Sequence, residues 1–264
     1  MLAKIVEPLI EWYEKNHRIL PWRASKNPYY IWISEIMLQQ TRVEAVRPFF
    51  ERFIKVLPKV EDVAVCPEEQ LLKLWEGLGY YNRVRNIQKA AVRIVEEYGG
   101  RLPADYEKLK ELPGIGNYTA GAVASIAYDL SVPAVDGNVL RVYARIMEDD
   151  SDILKQSVKT KVENEFLKVM PGSRSGTFNQ ALMELGAMVC VPNGAPKCDV
   201  CPVAEYCQAR VHGTALDLPV KKKRQERRKE EKTVLVLRDG DRVAIRKRPG
   251  KGLLAGMYEL PNLE

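Results

Sequence analysis

Apolar residues recur every three or four positions through residues 1–215, and no convincing alternation of apolar and polar positions interrupts them. This spacing is typical of amphipathic helices, whereas strands repeat every two residues. The pattern predicts helices near residues 2–16, 30–41, 43–56, 68–77, 82–98, 104–112, 117–128, 136–147, 155–169 and 175–190. Prolines and glycines separate these segments, so a mainly α fold is predicted.

The pattern changes after Pro219. Residues 221–232 are almost entirely charged, and residues 233–246 are typical of a β-hairpin that turns at Asp239-Gly240. Two strands cannot form a stable domain alone. The predicted organisation is a helical domain over 1–215, a charged linker over 216–232 and the start of a β domain over 233–264. The linker is either a solvated connector or a non-specific contact for phosphates.

The formal net charge of +6 comes from the linker and the residues after it, so residues 1–220 are close to neutral. A nucleic-acid partner would therefore be bound by local patches and backbone donors rather than by a global positive field. No apolar run is long enough to span a membrane, and the amphipathic N-terminus is unlike a signal peptide. We expect no membrane partner.

The chain has five cysteines and two histidines, and the scarcity of histidine argues against a Ser-His-Asp site or a histidine-rich metal site. Four cysteines follow the spacing C-x7-C-x2-C-x5-C, namely Cys190, Cys198, Cys201 and Cys207. A disulfide framework suits a small secreted chain, so a metal centre is favoured. With one C-x2-C pair rather than two, an iron–sulfur cluster is favoured over tetrahedral zinc. Cys66 stands alone and reads as a buried apolar residue.

A glycine-rich turn precedes the predicted helix 117–128. Its glycines tolerate positive φ and leave backbone N–H groups exposed where the helix begins, which is an arrangement that binds phosphate. The helix itself is rich in small residues, so we expect it to be central. Asp136 follows an apolar run at the start of the next predicted helix, where it is either an ordinary N-cap or a functional acid.

Glu35 lies in an otherwise apolar helix. It is either turned to solvent or buried, and burial would raise the pKa of its carboxyl and make it a proton donor. Gln39-Gln40-Thr41 either ends that helix or supplies groups that contact bases. The turn at residues 77–83 carries paired tyrosines beside Arg83, which suits a wedge in a base stack or a cap on the core edge.

Several segments form a recognisable set when taken in order: Pro21–Arg23, SEIMLQQT over 34–41, Gly77–Tyr81, Leu112–Gly116, VDGNV over 135–139, Phe178–Ala187 and the four-cysteine loop. Together they resemble the MutY family of adenine DNA glycosylases, in the helix-hairpin-helix superfamily, over about residues 5–210. Residues 246–249 and 253–261 resemble the opening of that family's Nudix-like C-terminal domain.

The resemblance implies a two-lobed helix-hairpin-helix DNA glycosylase fold with an iron–sulfur cluster loop, followed by a short β segment. One lobe would comprise about residues 25–135, and the other about residues 1–24 and 136–215. Residues 233–264 would begin a truncated Nudix-like domain. Since that domain recognises the oxidised guanine in the family, we expect adenine excision to be retained and lesion discrimination to be weaker.

The implied activity is base excision repair, in which adenine opposite 8-oxoguanine or guanine is removed from double-stranded DNA. By resemblance, Glu35 protonates adenine N7 and later handles the water, while Asp136 faces the oxocarbenium-like sugar. Asn138 would orient Asp136 or the sugar. Tyr118 stands where bifunctional relatives carry a Schiff-base lysine, so hydrolysis without amine-driven strand cleavage is expected.

The resemblance also implies binding roles. Trp22, Arg23 and Gln180 would line the pocket for a flipped adenine, and Gln40 and Tyr80 would fill or wedge the stack. Backbone phosphate would bind at Leu112, Gly114, Ile115 and Gly116, with a monovalent cation on the carbonyls of that turn, and near Lys197. A [4Fe–4S] cluster would be held by Cys190, Cys198, Cys201 and Cys207.

The first cysteine gap is one residue longer than the resemblance leads us to expect, which puts the DNA-facing shape of that loop in question. Two rival functions stay open. One is an endonuclease III-like glycosylase/lyase, against which Tyr118 and Glu35 argue; the other is a non-catalytic DNA-binding remnant, against which the pair Glu35 and Asp136 argues. We expect a monomer in the bacterial cytoplasm, associated with the nucleoid.

Overall fold

The computed structural model describes residues 1–222, 229–252 and 254–263. The chain forms two compact units, Met1–Lys222 and Lys223–Glu264. Part of the predicted linker and Leu253 of the second Nudix-like motif lie outside the described residues. None of the described helices is long and apolar enough to cross a bilayer.

Twelve α-helices are described in the first unit: α1 Val6–Asn16, α2 Pro28–Leu38, α3 Val43–Val56, α4 Val60–Val65, α5 Glu68–Trp75, α6 Asn82–Tyr98, α7 Tyr106–Glu111, α8 Asn117–Tyr128, α9 Gly137–Met147, α10 Gln156–Leu167, α11 Ser175–Met188 and α12 Gln208–Val211. Short 3-10 turns span Leu2–Ile5, Pro21–Arg23, Cys198–Val200 and Ala204–Tyr206. Every helix that the sequence predicts is present. The pattern missed α4 and α12, which are six and four residues long.

The N-terminus of α2 shows how local sequence sets a helix boundary. The Asn27 side chain accepts a hydrogen bond from the Tyr29 backbone N–H at 2.9 Å, and Pro28 occupies the first helical position. Proline fits there because its missing N–H would have no helical partner. The helix ends at Leu38, three residues earlier than predicted, and leaves Gln39–Thr41 as a turn.

The helices enclose two hydrophobic cores. One is built from residues between Leu20 and Ala124, with Trp32, Phe53 and Trp75 fully buried. The other combines residues 2–13 with residues between Val135 and Val203. Leu20 and Trp22 pack in the first core, although the resemblance assigns residues 1–24 to the other lobe. The two lobes stay a prediction.

Helix α8 is central, as its small residues predict, because it packs against α2, α7 and α11. A Cβ at Gly121 would lie 2.2 Å from the Pro133 carbonyl oxygen. A Cβ at Gly176, on α11, would lie 2.5 Å from the Ser125 carbonyl oxygen. Both distances are too short for any side chain, so glycine is what permits this close approach.

The described residues of the second unit contain three antiparallel pairs of two-residue strands. The strands are β1 Thr233–Val234, β2 Arg238–Asp239, β3 Arg242–Val243, β4 Arg246–Lys247, β5 Tyr258–Glu259 and β6 Asn262–Leu263. The predicted hairpin is present at its tip, where β2 pairs with β3 and Gly240 has a φ of 55°. Farther from the tip, β1 pairs with β6 and β4 with β5, so the flanking residues pair with the C-terminal segment instead.

Candidate active site

A cleft of about 1290 Å³ opens in the first unit and takes residues from both cores. All four predicted catalytic residues line it, together with most of the predicted adenine-binding residues. These are Trp22, Arg23, Glu35, Gln40, Tyr118, Asp136, Asn138 and Gln180. Tyr80 is the predicted substrate-binding residue that does not line this cleft.

Of the two predicted settings for Glu35, turned to solvent or buried, the structure shows the buried one. Helix α2 presents it into the cleft with 6% of its surface exposed, and its Oε2 accepts a hydrogen bond from the Tyr118 hydroxyl on α8. Burial raises the pKa of the Glu35 carboxyl to about 7, the Tyr118 bond opposes this rise, and the nearby Asp136 carboxylate adds to it. Such a group can donate a proton and accept one near neutral pH.

Asp136 is both an N-cap and a residue of the cleft, so its two predicted roles are compatible. Its Oδ1 accepts the Val139 backbone N–H at 2.8 Å, and its Oδ2 accepts from the Asn138 side-chain amide at 2.6 Å. Burial raises the pKa of Asp136, while these hydrogen bonds lower it by favouring the ionised form. Asn138 is therefore bonded to Asp136, one of the two groups that it is predicted to orient.

Arg141 supports this pair and was missed by sequence reasoning. Its Nη2 donates to the Asn138 Oδ1 at 2.8 Å and to the Gly186 carbonyl at 2.7 Å, and its Nε donates to the Cys190 carbonyl at 2.8 Å. A Cβ at Gly186 would lie 2.6 Å from the Asn138 Cβ. Glycine at this position therefore allows Asn138 to sit between α11 and Asp136.

Arg23 and Gln180 line the cleft, but their polar groups already have protein partners. Arg23 donates to the Glu184 Oε2 at 2.8 Å, and Arg18 forms three further bonds to the same carboxylate, one from its backbone N–H and two from its guanidinium. Burial would raise the pKa of Glu184, but the hydrogen bonds from Arg18 and Arg23 lower it to about 2. Gln180 accepts from the Tyr13 hydroxyl at 3.0 Å. Both side chains are thus fixed in orientation.

Gln40 and Tyr80 lie in separate turns that Arg83 joins. Arg83 donates to the carbonyls of Ile36, Met37 and Gln39 with Nη1, and to those of Leu78 and Gly79 with Nη2, at distances of 2.7–3.3 Å. Gln40 and Tyr80 have φ values of 59° and 49°, an uncommon conformation for residues other than glycine. Sequence reasoning placed Arg83 beside the aromatics but did not identify this bridge.

The predicted phosphate-binding turn has the required exposed backbone. Leu112 and Ile115 are buried, whereas Gly114 and Gly116 are exposed. Gly114 has a φ of 78°, but Gly116 has a φ of −96°, so one of the two glycines needs positive φ rather than both. No side chain caps the N-terminus of α8, which leaves its first N–H groups available to an anion.

The four predicted ligand cysteines line one small cavity under the second core, with Val142, Leu185 and Val203 among its apolar neighbours. All four are free thiols. Burial raises the pKa of the Cys201 thiol to about 12, and the other three thiols act in the same direction. Within the described part of the chain, no three Cys, His, Asp or Glu side chains already form a tight ligand group.

Lys197 lies at the rim of this cavity and is exposed, but it does not line the catalytic cleft. Its backbone N–H donates to the Val189 carbonyl at 3.0 Å. The loop residues Pro192 and Asn193 reach the catalytic cleft instead, and Gly194 beside them has a φ of 76°. The additional residue of the first cysteine gap lies within this loop.

Solved structures share the fold. A thermostable thymine-DNA glycosylase matches 80% of this chain and 97% of its own, with 27% identity and a TM-score of 0.70. An endonuclease III trapped as a covalent intermediate with DNA matches 80% of this chain and 96% of its own, with 26% identity and a TM-score of 0.67. The first unit therefore has the architecture of these DNA glycosylases.

Relatives in sequence are adenine DNA glycosylases. The mouse protein (Mus musculus) is 36% identical, and the human protein (Homo sapiens) is 34% identical, each over 97% of this chain. The chain spans 59% and 56% of their lengths, respectively. The protein from Buchnera aphidicola of Schizaphis graminum is 34% identical over 97% of this chain and 74% of its own length.

The family profile gives the broader assignment. Residues 33–171, from α2 to the turn after α10, match the HhH-GPD superfamily of base excision DNA repair proteins. This range includes Glu35, Tyr118, Asp136 and the glycine-rich turn before α8. The chain belongs to the HhH-GPD superfamily and, within it, to the adenine DNA glycosylase family.

Proposed function

We propose that this protein is a monofunctional adenine DNA glycosylase that hydrolyses the N-glycosidic bond of adenine opposite 8-oxoguanine or guanine in duplex DNA. The observation that carries the proposal is Glu35, a buried carboxyl with a pKa of about 7, in the same cleft as Asp136. The adenine DNA glycosylases among its relatives support the choice of base. The setting we propose is a monomer at the nucleoid of a bacterial cytoplasm.

Glu35 has the properties of the acid. A leaving adenine carries away the electrons of the C–N bond, and protonation at N7 makes it a better leaving group. Because the pKa of Glu35 is about 7, a substantial fraction of the carboxyl is protonated at neutral pH. The carboxylate formed by this step can then accept a proton from the attacking water.

Asp136 has the properties of the charge-stabilising carboxylate. Departure of the base leaves an oxocarbenium-like sugar, which a fixed negative charge stabilises. The hydrogen bonds from Val139 and Asn138 hold the Asp136 carboxylate in place and favour its ionised form. The two acids therefore differ in environment as their two roles require.

Tyr118 favours hydrolysis over the rival lyase reaction. A Schiff base requires an amine beside the sugar. The resemblance puts Tyr118 where bifunctional relatives carry that amine, and its phenol is bonded to Glu35. The described residues that line the cleft include two lysines, Lys159 and Lys221, neither of which contacts Glu35. Burying an ionisable carboxyl costs folding free energy. A non-catalytic DNA-binding role is disfavoured because it does not explain why Glu35 is buried.

The four cysteines fit an iron–sulfur cluster. Their thiols share one largely apolar cavity without disulfides, and Arg145 donates to the Cys190 Sγ at 3.2 Å. Four sulfur donors are the ligand set of a [4Fe–4S] cluster, which would supply a structural brace for the loop that carries Lys197. A monovalent cation at the turn before α8 is a further part of the proposal.

The test is single-turnover excision from a duplex with adenine opposite 8-oxoguanine, with strand breaks measured before and after alkali. We expect the wild type to give breaks only after alkali and Glu35→Gln to give almost none. Glu51→Gln, the same change at an exposed position of α3 outside the cleft, is the control and should stay active. Breaks before alkali would indicate a lyase, and no release by a wild type that binds the duplex would refute the glycosylase.

A further inference from the structure

Helix α10 presents a polar face to the cleft. Gln156, Lys159 and Glu163 follow the spacing i, i+3, i+7 and all three line it. Residues at this spacing lie on one side of a helix, so the three groups form one row. The other side of α10 packs into the second core through Val158, Val162 and Phe166.

This row ends, at Glu163, beside the predicted phosphate-binding turn. The Asn117 side chain, at the first position of α8, donates to the Glu163 Oε2 at 3.3 Å. Lys159 precedes Glu163 by one helical turn, which is about 6 Å along α10. Lys159 therefore lies roughly one turn away from the exposed N-terminus of α8, on the same side of the molecule.

A second lysine is brought to the cleft by the segment that follows the cysteine loop. Arg145 Nε donates to the Leu218 carbonyl at 3.0 Å, and the Ile153 N–H donates to the Val220 carbonyl at 3.2 Å. Leu218 and Ile153 are both buried. Residues 218–220 of the predicted linker are thus held against the rest of the first unit, and Lys221 lines the cleft.

The two lysines differ from the arginines deeper in the cleft. Arg18 and Arg23 are neutralised by Glu184. Among the described residues, no carboxylate lies within ion-pair distance of Lys159 or Lys221. Lysines at a cleft mouth without a carboxylate partner attract phosphate, and each phosphate contact releases bound counterions from DNA.

We propose that Lys159 and Lys221 form a phosphate-binding edge at the mouth of the cleft, which contacts the backbone of the duplex beside the turn that precedes α8. The inference rests on the proposed function, because duplex DNA is the ligand. It also gives the first residues of the basic run a role in binding. Neither lysine contacts Glu35 or Asp136, so the edge acts on affinity rather than on the chemical step.

The test measures the affinity for an undamaged duplex over a range of salt concentrations, for Lys159→Gln, Lys221→Gln and the double variant. Each lost phosphate contact should reduce the slope of log affinity against log salt by about 0.9, so the double variant should lose about 1.8. Lys159→Arg should restore the wild-type slope. The control is Lys168→Gln, which removes an exposed lysine paired with Glu165 outside the cleft.

Single-turnover excision at saturating enzyme separates this inference from the proposed function. We expect the lysine variants to keep the wild-type rate constant to within about twofold, since uniform binding does not alter the bound-state step. Wild-type slopes in both single variants would overturn the phosphate-binding edge, even if excision is normal. A wild type that releases no adenine would count against the glycosylase. The salt slopes would still show whether Lys159 and Lys221 bind phosphate.

Discussion

Glu35 illustrates how the surroundings of one residue set its chemistry. The carboxyl is almost completely buried, which favours its neutral form, and the Tyr118 hydroxyl favours its ionised form by donating a hydrogen bond. The pKa of about 7 is the balance of these effects. A general acid with this pKa stays active up to neutral pH and loses activity above it.

Replacing Tyr118 by phenylalanine should therefore move the pH dependence. Tyr118→Phe removes the donor that lowers the pKa of Glu35, so that pKa should rise and the alkaline limb of the excision rate should shift to higher pH. The measurement is the single-turnover rate against pH. Tyr128→Phe, at the other end of α8, is the control and should leave the limb in place. An unshifted limb in Tyr118→Phe would contradict this account of the pKa.

At the level of elements, Arg83 joins the end of α2 to the turn before α6. Its guanidinium bonds five backbone carbonyls that belong to two separate segments. Gln40 and Tyr80 directly follow the bonded residues Gln39 and Gly79. Arg83 therefore sets the relative position of the two side chains that are predicted to enter the base stack.

Arg83→Lys should uncouple these turns, because one ammonium group cannot reach both sets of carbonyls. We expect a loss of about 2 kcal/mol in the free energy of unfolding, in line with hydrogen bonds to charged groups. The excision rate should fall roughly tenfold through misplacement of both side chains. Thermal unfolding and single-turnover excision are the measurements. Arg85→Lys, which alters a surface pair with Glu68, should change neither.

At the largest scale, the arrangement of two cores in the first unit places the candidate catalytic groups in the cleft that both cores line. Glu35 and Tyr118 belong to elements of the first core, whereas Asp136 and Asn138 begin a helix of the second. The cysteine cavity lies under the second core, and Arg141 connects its edge at Cys190 to Asn138. A change in that cavity should consequently alter the position of Asn138, and with it that of Asp136.

Loss of one ligand cysteine tests the proposed cluster. Cys201→Ala should lower the iron content and the absorbance at about 400 nm, because the cluster would lose one of its four ligands. Cys66→Ala removes a buried thiol from the other core and should leave both quantities unchanged. Iron analysis and absorbance spectra of the purified proteins are the measurements. Equal iron content in the two variants, or zinc in the wild type, would refute the iron–sulfur assignment.

The helices were predictable because a helix is stabilised by residues close together in sequence, and its buried face repeats locally. The pattern missed α4 and α12, of six and four residues, which offer few positions over which a period can repeat. The equally short α7 was predicted because Pro103 and Pro113 mark its two ends. The outer strands of the second unit were not predictable in the same way. Thr233 pairs with Leu263, and the hydrophobic pattern around Thr233 does not indicate a partner so distant in sequence.

The sequence by itself determined the succession of helices and the chemical identity of the candidate acids, because periodicity and motif spacing are local properties. Only the tertiary structure decided that Glu35 is buried and bonded to Tyr118, which is 83 residues away. Only the structure showed the supporting roles of Arg83 and Arg141. Both bond mainly to backbone carbonyls, which every residue has, so no sequence motif marks these contacts. Burial and electrostatic environment arise from packing between distant segments, and they raise the pKa of the Glu35 carboxyl to about 7.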